Sequence, residues 1–243
     1  MKQYKALFLD WDDTIGDFRQ SEQCALRDMF AEFKLNRWFE TLQDYVDTYR
    51  PHNRQLWHDY AAGKVSKDFL MEDRFTYPLL HSPNQYIQPA NGETMAEMAR
   101  RMSERFLELT NHYFTVLPGA AEMVRTLARQ YPLTIISNGF VESQNYKLAH
   151  SNLADCFTHV LLSEQVGISK PDTRIFEMAL RLNRVKCNEA LMIGDAFDPD
   201  IIGAQRAGID QLWYHPSDEP INEQQTATYI VKTYAEITDI LAE

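Results

Sequence analysis

The spacing of apolar residues divides the chain into three stretches. Residues 6–9 form a short continuous apolar run that ends in acidic residues and Gly16, which is typical of a strand buried on both faces. Between residues 18 and 113 apolar side chains recur every three to four positions, which predicts helices almost throughout. After Pro118 and Gly119 short apolar runs alternate with helical patterns, and this alternation predicts a parallel sheet with helices on both faces.

The last stretch supplies most of the predicted sheet. Strands are predicted at residues 132–137, 158–163, 189–194 and 211–215. Helices are predicted at residues 120–129, 141–151, 172–183 and 200–207, and a final strand and helix occupy residues 229–241. Because residues 6–9 have the same short apolar character as these strands, we expect them to join the same sheet.

The middle stretch has the pattern of an inserted helical domain. We expect four or five helices there and no strand, and the pattern is punctuated by Pro51, Gly63, Pro78, Pro83, Pro89 and Gly92. The predicted fold is α/β, with a doubly wound, Rossmann-like core of residues 1–16 and 114–243. A helical domain of residues 17–113 interrupts this core directly after the first strand.

Charge and composition narrow the range of partners. The 24 Lys and Arg residues stand against 35 Asp and Glu, and the resulting net charge of −11 repels nucleic acid polymers and anionic lipid. No window approaches the ~20 apolar residues of a membrane span, and the three cysteines, Cys24, Cys156 and Cys187, form no C-x-x-C pair. We therefore expect a cytoplasmic protein that is a monomer or a weak homo-oligomer and binds neither nucleic acid nor membrane.

Polar residues follow the apolar runs at the points where strands are predicted to end. Ligands bind at the carboxyl ends of the strands in open parallel sheets, so these residues form a candidate site. They are Asp10 and Asp12 after the first run, Ser137 and Asn138 after the second, Lys170 beyond the third, and Asp195, Asp198 and Asp200 after the fourth. Carboxylates within ~4 Å of each other repel by ~4 kcal/mol per pair at an effective dielectric constant of ~20. The cluster therefore needs a cation, and oxygen ligands from few carboxylates indicate Mg²⁺.

Four motifs in order give the chain a resemblance to a known family. Residues 10–14 read D-W-D-D-T after an apolar strand, Ser137 closes a strand, Lys170 lies in GISKPD, and Asp195 and Asp200 lie in G-D-x-x-x-x-D. This set resembles the haloacid dehalogenase superfamily of aspartate-nucleophile phosphohydrolases. The stretches SNGF, GISKPDTRIFEMAL and AGIDQLWYHP further resemble its pyrimidine 5'-nucleotidase branch. Two positions depart from that branch: Ala196 replaces the more common Ser or Asn, and His215 stands where Asn is frequent.

The resemblance implies a mechanism for the candidate site. Asp10 would be the nucleophile that forms an aspartyl phosphate, Asp12 would be the general acid and base, and Thr14 would orient Asp12. Ser137, the amide of Asn138 and Lys170 would bind the phosphate. Mg²⁺ would be held by the Asp10 and Asp195 carboxylates and the main-chain carbonyl of Asp12, with Asp200 bonding to metal-bound water or to Lys170.

The resemblance also identifies the helical insertion as a cap that closes over the site and contacts the leaving group. It implies a small phosphorylated metabolite as substrate, most simply a nucleoside monophosphate, because aromatic side chains of the cap offer a base a stacking face. Those aromatic residues include Trp38, Phe39, Tyr45, Tyr49, Trp57 and Tyr60. Aromatic residues at helical spacing usually belong to a core, so we expect two or three at most to face a ligand.

Other functions remain open at this point. A dehalogenase has no acid at the position of Asp12, which argues against that activity. A phosphomutase, or a phosphatase of sugar phosphates or phosphoglycolate, commonly reads D-x-D-G, where this chain has Asp13 and Thr14. A catalytically silent binding module is the third alternative, although Asp10, Asp12 and Lys170 are all retained. Taken singly, Lys170 is typical of a surface lysine, Ser137 of a helix cap and Asp198-Pro199-Asp200 of a helix start.

Overall fold

A six-stranded parallel sheet organises the computed structural model, which describes residues 3–242. Its strands are β1 (Ala6–Leu9), β2 (Leu133–Ser137), β3 (Phe157–Leu162), β4 (Ala190–Gly194), β5 (Asp210–Tyr214) and β6 (Tyr229–Val231). Their order across the sheet is β3-β2-β1-β4-β5-β6, and every neighbouring pair is parallel. The strand order reverses between β1 and β4, so the crevice where such sheets bind ligands lies at the carboxyl ends of these two strands.

The helices follow the chain in two groups. In the middle stretch they are α1 (Phe18–Glu32), α2 (Leu42–Ala61), α3 (Lys67–Leu80) and α4 (Met95–His112). After it they are α5 (Ala120–Ala128), α6 (Val141–His150), α7 (Ser163–Val166), α8 (Thr173–Asn183), α9 (Gly203–Arg206) and α10 (Tyr234–Ala242). None of the helices in residues 3–242 is both long enough and apolar enough to span a membrane.

The first strand is the centre of the sheet. All four residues of β1 are buried, and Leu7 pairs with Leu133 of β2 on one side and Leu191 of β4 on the other. A strand paired on both edges and covered on both faces has no solvent-facing side, which explains the continuous apolar run. Phe8 belongs to a buried cluster that includes Ile136 and Phe176, so burial of side chains from several elements holds the strand ends in place.

The chain separates into two compact units. One comprises Met1–Asp17 and Thr115–Glu243 and contains the sheet, and the other comprises Phe18–Phe114 and contains α1 to α4. The helical unit has its own aromatic core, in which the ring of Tyr49 stacks on that of Phe75 with centroids 5.4 Å apart. Thr41 and Thr94 close capping boxes at the starts of α2 and α4, which satisfies amide groups that the helix itself leaves unpaired.

Two prolines that punctuate the sequence pattern do not end helices. Pro51 lies inside α2, and Pro78 lies in the last turn of α3. Proline removes one backbone hydrogen bond, and here the buried side chains on both helices, among them Tyr49 and Phe75, outweigh that loss. By contrast Gly63 and Gly92 have positive φ angles between helices, so they do mark breaks.

The helix predicted at residues 200–207 begins earlier and in a different geometry. Phe197–Ile202 forms a π-helical turn that runs into the short helix α9. The wider turn buries Asp200 completely and leaves Asp198 exposed, although the two acids are separated only by Pro199. Single π-helical turns are rare and are frequently found at functional sites.

Candidate active site

The carboxyl ends of β1 and β4 bring two of the predicted acids together. Asp10 follows β1 directly and Asp195 follows β4 directly. The amide of Asp10 donates a hydrogen bond of 2.9 Å to the carbonyl of Ile193, which ties the end of one strand to the other. Adjacent parallel strands therefore place these side chains at the same edge of the sheet, as the sequence pattern predicts.

Lys170 connects the acids that follow β1 and β4. Its ammonium nitrogen lies 2.6 Å from Oδ1 of Asp10 and 2.6 Å from Oδ1 of Asp200. The Lys170 and Asp200 side chains are 2% and 0% exposed, so both charges are removed from water. Lys170 is thus a buried bridging cation and not a surface lysine, and of the two partners expected for Asp200 the structure shows Lys170.

Three carboxylates form a cluster that fits a divalent cation. Asp10, Asp195 and Asp200 each offer one carboxylate oxygen, and these oxygens lie within 4.8 Å of one another. Hard cations such as Mg²⁺ prefer oxygen ligands of this kind. Among the described residues the Asp12 carboxylate is not part of this cluster, and the metal-binding role expected for its main-chain carbonyl stays a prediction.

Burial and neighbouring charges shift the pKa values of Asp10 and Lys170. The pKa of Asp10 is raised to about 7, mainly by burial and also by the nearby Asp200 and Asp12 carboxylates, while Lys170 opposes the shift. Burial alone would lower the pKa of Lys170, but the Asp10 and Asp200 carboxylates outweigh it and raise that pKa above its usual value. Lys170 therefore stays charged at neutral pH, and added positive charge next to Asp10 would favour its ionised form.

Thr14 has a different partner from the one expected. Its buried hydroxyl accepts a hydrogen bond of 3.0 Å from the Asp195 amide and donates one of 3.3 Å to Oδ1 of Asp195. No hydrogen bond joins Thr14 to Asp12 among the described residues, so the expectation that Thr14 orients Asp12 is not met. Thr14 instead holds Asp195, and the hydroxyl of Tyr234 secures the Thr14 carbonyl at 3.0 Å.

The Asp12 carboxylate is bound by two residues that sequence reasoning missed. Nε2 of Gln144 donates to its Oδ2 at 2.6 Å, and Nζ of Lys147 donates to its Oδ1 at 2.6 Å. Both donors come from α6, more than 130 positions along the chain. Gln and Lys one turn apart on a helix are usual on a solvated face, so the sequence carries no signal that would single them out.

Ser137 and Asn138 shape the loop after β2. The hydroxyl of Ser137 accepts a hydrogen bond of 3.1 Å from the Gly139 amide. The Asn138 side chain exchanges two hydrogen bonds of 2.9 Å with the backbone N–H and carbonyl of Lys170. The side chain of Asn138 therefore fixes the position of Lys170, a role beyond the backbone amide that the sequence analysis considers.

The residues that depart from the expected pattern lie around Asp195 and Asp200. The amide of Ala196 donates to Oδ2 of Asp200 at 3.1 Å, a contact that needs no side chain. Nε1 of Trp213, on β5, donates to the Asp195 carbonyl at 2.8 Å. The ring of His215 packs on that of Trp213 with centroids 4.6 Å apart, so His215 supports a residue that holds the candidate metal ligand.

Comparison with known proteins identifies the family. A model of haloacid dehalogenase-like hydrolases matches residues 4–208 of the chain. The chain belongs to this family. The resemblance inferred from the four motifs is therefore confirmed, as is the Rossmann-like core with a helical cap.

Individual relatives cover nearly the whole chain. The pyrimidine 5'-nucleotidase PynA of Streptococcus pneumoniae is 32% identical over 240 residues, which is 98% of this chain and 95% of PynA. The pyrimidine 5'-nucleotidase YjjG of Escherichia coli is 27% identical over 238 residues, which is 98% of this chain and 97% of YjjG. Among solved structures, magnesium-bound YfnB of Bacillus subtilis superposes with a TM-score of 0.81 at 28% identity and covers 100% of both chains.

Proposed function

We propose that this chain is a Mg²⁺-dependent phosphomonoester hydrolase that acts on nucleoside 5'-monophosphates, with pyrimidine nucleotides preferred. The observation that carries the proposal is the buried Asp10–Lys170–Asp200 array beside Asp195 at the carboxyl ends of β1 and β4. It provides a carboxylate next to a fixed cation, which phosphoryl transfer requires for positioning and charge neutralisation. The relatives named pyrimidine 5'-nucleotidases support the choice of substrate.

In the proposed reaction the first step makes a covalent intermediate. A carboxylate oxygen of Asp10 attacks phosphorus, the bond from phosphorus to the ester oxygen breaks, and Asp12 donates a proton to the leaving alcohol. Lys170 and Ser137 neutralise and orient the phosphoryl oxygens. Each of the two displacements has a lower barrier than direct hydrolysis by water. The first is favoured because the protein holds the nucleophile in place.

The second step returns the enzyme to its starting state. Asp12, now ionised, removes a proton from a water molecule that attacks phosphorus, and the bond from phosphorus to Asp10 breaks to release inorganic phosphate. The Asp10 and Asp195 carboxylates and the main-chain carbonyl of Asp12 would hold Mg²⁺, with Asp200 at the edge of the set. The ion would supply positive charge for the phosphoryl oxygens and would keep Asp10 ionised.

The preference that we propose for a nucleotide over a sugar phosphate assigns base stacking to two aromatic residues of the helical unit. Trp57 and Tyr60 are only partly buried and meet edge to face at 5.8 Å, whereas Trp38, Phe39, Tyr45 and Tyr49 are buried in the core of that unit. A base stacked on such a ring gains about 1–3 kcal/mol. Of the six aromatic residues named in the sequence analysis, Trp57 and Tyr60 are therefore the two that we propose as stacking partners of the base.

The test is phosphate release over a panel of substrates with Mg²⁺ and with chelator. The panel contains pyrimidine and purine nucleoside monophosphates, sugar phosphates and phosphoglycolate at matched concentrations. The proposal expects pyrimidine monophosphates to turn over fastest and chelator to abolish activity. A sugar phosphate as best substrate would overturn the nucleotide assignment and keep the hydrolase, and no turnover of any member would favour the silent binding module.

A further inference from the structure

We infer that Gln144 and Lys147 of α6 are positioning residues for catalysis, which hold the Asp12 carboxylate in its working orientation. The inference rests on the proposed function, in which Asp12 transfers protons. Neither residue lies in the four family motifs that the sequence contains. Both act through Asp12, and neither is expected to touch the substrate.

The geometry fixes the whole carboxylate group and not just one of its atoms. Gln144 bonds to Oδ2 of Asp12 and Lys147 to Oδ1, each at 2.6 Å. One bond would leave the carboxylate free to rotate about its own axis, while two bonds to different oxygens set its plane. A carboxylate oxygen has about two acceptor positions. One position on each oxygen of Asp12 therefore remains for the substrate or water.

The burial of the two donors is unusual for their residue types. The side chain of Lys147 is 3% exposed, while that of Asp12 is 27% exposed. Gln144 is 5% exposed. Lysine is almost never buried unless it is paired, because removing its charge from water is costly. The pairing with Asp12 offsets this cost, so the cation belongs to the site and not to the general surface of α6.

The loop after β2 is shaped to let Gln144 reach Asp12. A Cβ atom at Gly139 would lie 2.7 Å from Cδ of Gln144, which is closer than such atoms approach in proteins. The side chain of Gln144 therefore occupies the space that a larger residue at 139 would fill. Glu164 of α7 accepts a hydrogen bond of 2.8 Å from the Val141 amide and so ties the first turn of α6 to α7, directly after β3.

A merely structural role for the pair makes a different prediction from a positioning role. If Gln144 and Lys147 only attached α6 to the sheet, their loss would lower stability and affect every substrate alike. If they position the proton donor, their loss lowers kcat most for substrates whose leaving group must be protonated. An alkoxide leaving group, as in a nucleotide, needs that proton, whereas 4-nitrophenolate does not.

The kinetic test compares Lys147→Met and Gln144→Leu with the wild type on uridine monophosphate and 4-nitrophenyl phosphate, both with saturating Mg²⁺. We expect kcat on the nucleotide to fall about tenfold or more, KM to change less than about twofold, and the loss on the aryl phosphate to be clearly smaller. Lys147→Arg keeps the cation and should restore most of the nucleotide activity. Asn145→Ala, at an exposed position of α6 between the two residues, is the matched control and should behave as wild type.

The outcomes separate this inference from the function on which it rests. Equal losses on the two substrates, or no loss in either variant, would overturn the positioning role while the wild type still hydrolyses nucleotides. Absence of turnover by the wild type would overturn the proposed function and this role with it. Crystal structures of the wild type and Lys147→Met provide a readout without turnover. The inference expects both contacts to Asp12 in the wild type and a rotated carboxylate in the variant, and an unchanged carboxylate would contradict it.

Discussion

A Cβ atom added at Gly194 would lie 2.5 Å from Cγ of Asp200, so the two residues can be this close only because position 194 has no side chain. Gly194 ends β4, and Asp200 lies within the π-helical turn Phe197–Ile202 that follows. The glycine allows Asp200 to fold back over the strand end, where it reaches Lys170 at 2.6 Å. The first and last residues of the G-D-x-x-x-x-D motif are thus linked by a steric requirement.

Gly194→Ala is expected to displace Asp200 and weaken its ion pair with Lys170. Overpacking at a buried site costs typically about 1–3 kcal/mol of the free energy of unfolding, and phosphate release should fall with it. Denaturant unfolding measures the first effect. In an Asp200→Gly background the clashing Oδ2, Cγ and Cβ atoms of residue 200 are all absent, so the same glycine substitution at position 194 should cost less than about 1 kcal/mol. An equal cost in both backgrounds would show that the loss arises elsewhere.

Asp10→Asn should abolish turnover, because an amide cannot act as the nucleophile. The expected kcat is below about a thousandth of the wild-type value, measured with pyrimidine monophosphates and Mg²⁺. Asp198→Asn is the matched control, since Asp198 is an exposed acid next to the same site and should retain activity within about twofold. Residual turnover above a few per cent in Asp10→Asn, with an unchanged circular dichroism spectrum, would exclude Asp10 as nucleophile.

Mg²⁺ should stabilise the protein more at pH 8 than at pH 5.5. Without metal the pKa of Asp10 is raised from 3.8 in the unfolded chain to about 7 in the folded chain. Between pH 3.8 and about 7 the folded chain therefore keeps a proton that the unfolded chain releases. Asp10 therefore lowers the stability of the metal-free protein as pH rises from about 4 to about 7 and has a constant effect above that. A cation that binds the ionised carboxylates opposes this loss at the higher pH.

The measurement is thermal unfolding with Mg²⁺ and with chelator at the two pH values. A ligand at 100 times its Kd contributes about 2.7 kcal/mol, which corresponds to a rise in Tm of several degrees for a chain of this size. Asp195→Asn removes one of the clustered carboxylates and should lose most of the Mg²⁺ effect. A Mg²⁺ effect of the same size at both pH values would contradict the link to Asp10.

Trp213→Phe should raise the Mg²⁺ concentration needed for half-maximal activity. The substitution keeps an aromatic ring on β5 and removes the indole N–H that holds the Asp195 carbonyl at 2.8 Å, at a cost of about 1 kcal/mol. Trp38→Phe is a matched control, because the Trp38 indole donates to the carbonyl of Ile87 within the helical unit at 3.2 Å. Both variants should lose stability. A Mg²⁺ requirement that changes equally in both would rule out a specific role for Trp213.

Trp57→Ala or Tyr60→Ala should raise KM for nucleoside monophosphates and leave KM for 4-nitrophenyl phosphate nearly unchanged. Loss of a stacking ring costs about 1–3 kcal/mol per base, which corresponds to a change in KM of roughly 5-fold to 150-fold. Tyr86→Ala serves as control, since Tyr86 is 88% exposed on the same unit. If KM for nucleotides stays at the wild-type value in both variants, neither ring stacks on the base.

The local pattern of the sequence was enough to predict the fold class. The short apolar runs that alternate with helical periods predict a parallel sheet, and the structure confirms six parallel strands with β1 at the centre. The acids placed directly after β1 and β4 could be assigned to one site because neighbouring parallel strands end at the same edge. Asp10, Asp195, Asp200 and Lys170 meet there, while their catalytic roles stay predictions.

Tertiary packing decided the features that no local pattern encodes. Gln144 and Lys147 reach Asp12 from a distant helix, and their residue types alone are those of a solvated surface. Packing also keeps α2 helical at Pro51 and α3 helical at Pro78, because the burial of side chains outweighs the hydrogen bonds that proline removes. The sequence by itself determined which residues end the strands, since short-range spacing sets secondary structure. Only the three-dimensional structure decided the partners of Asp12 and Asp195, since contacts between distant segments depend on how the elements pack.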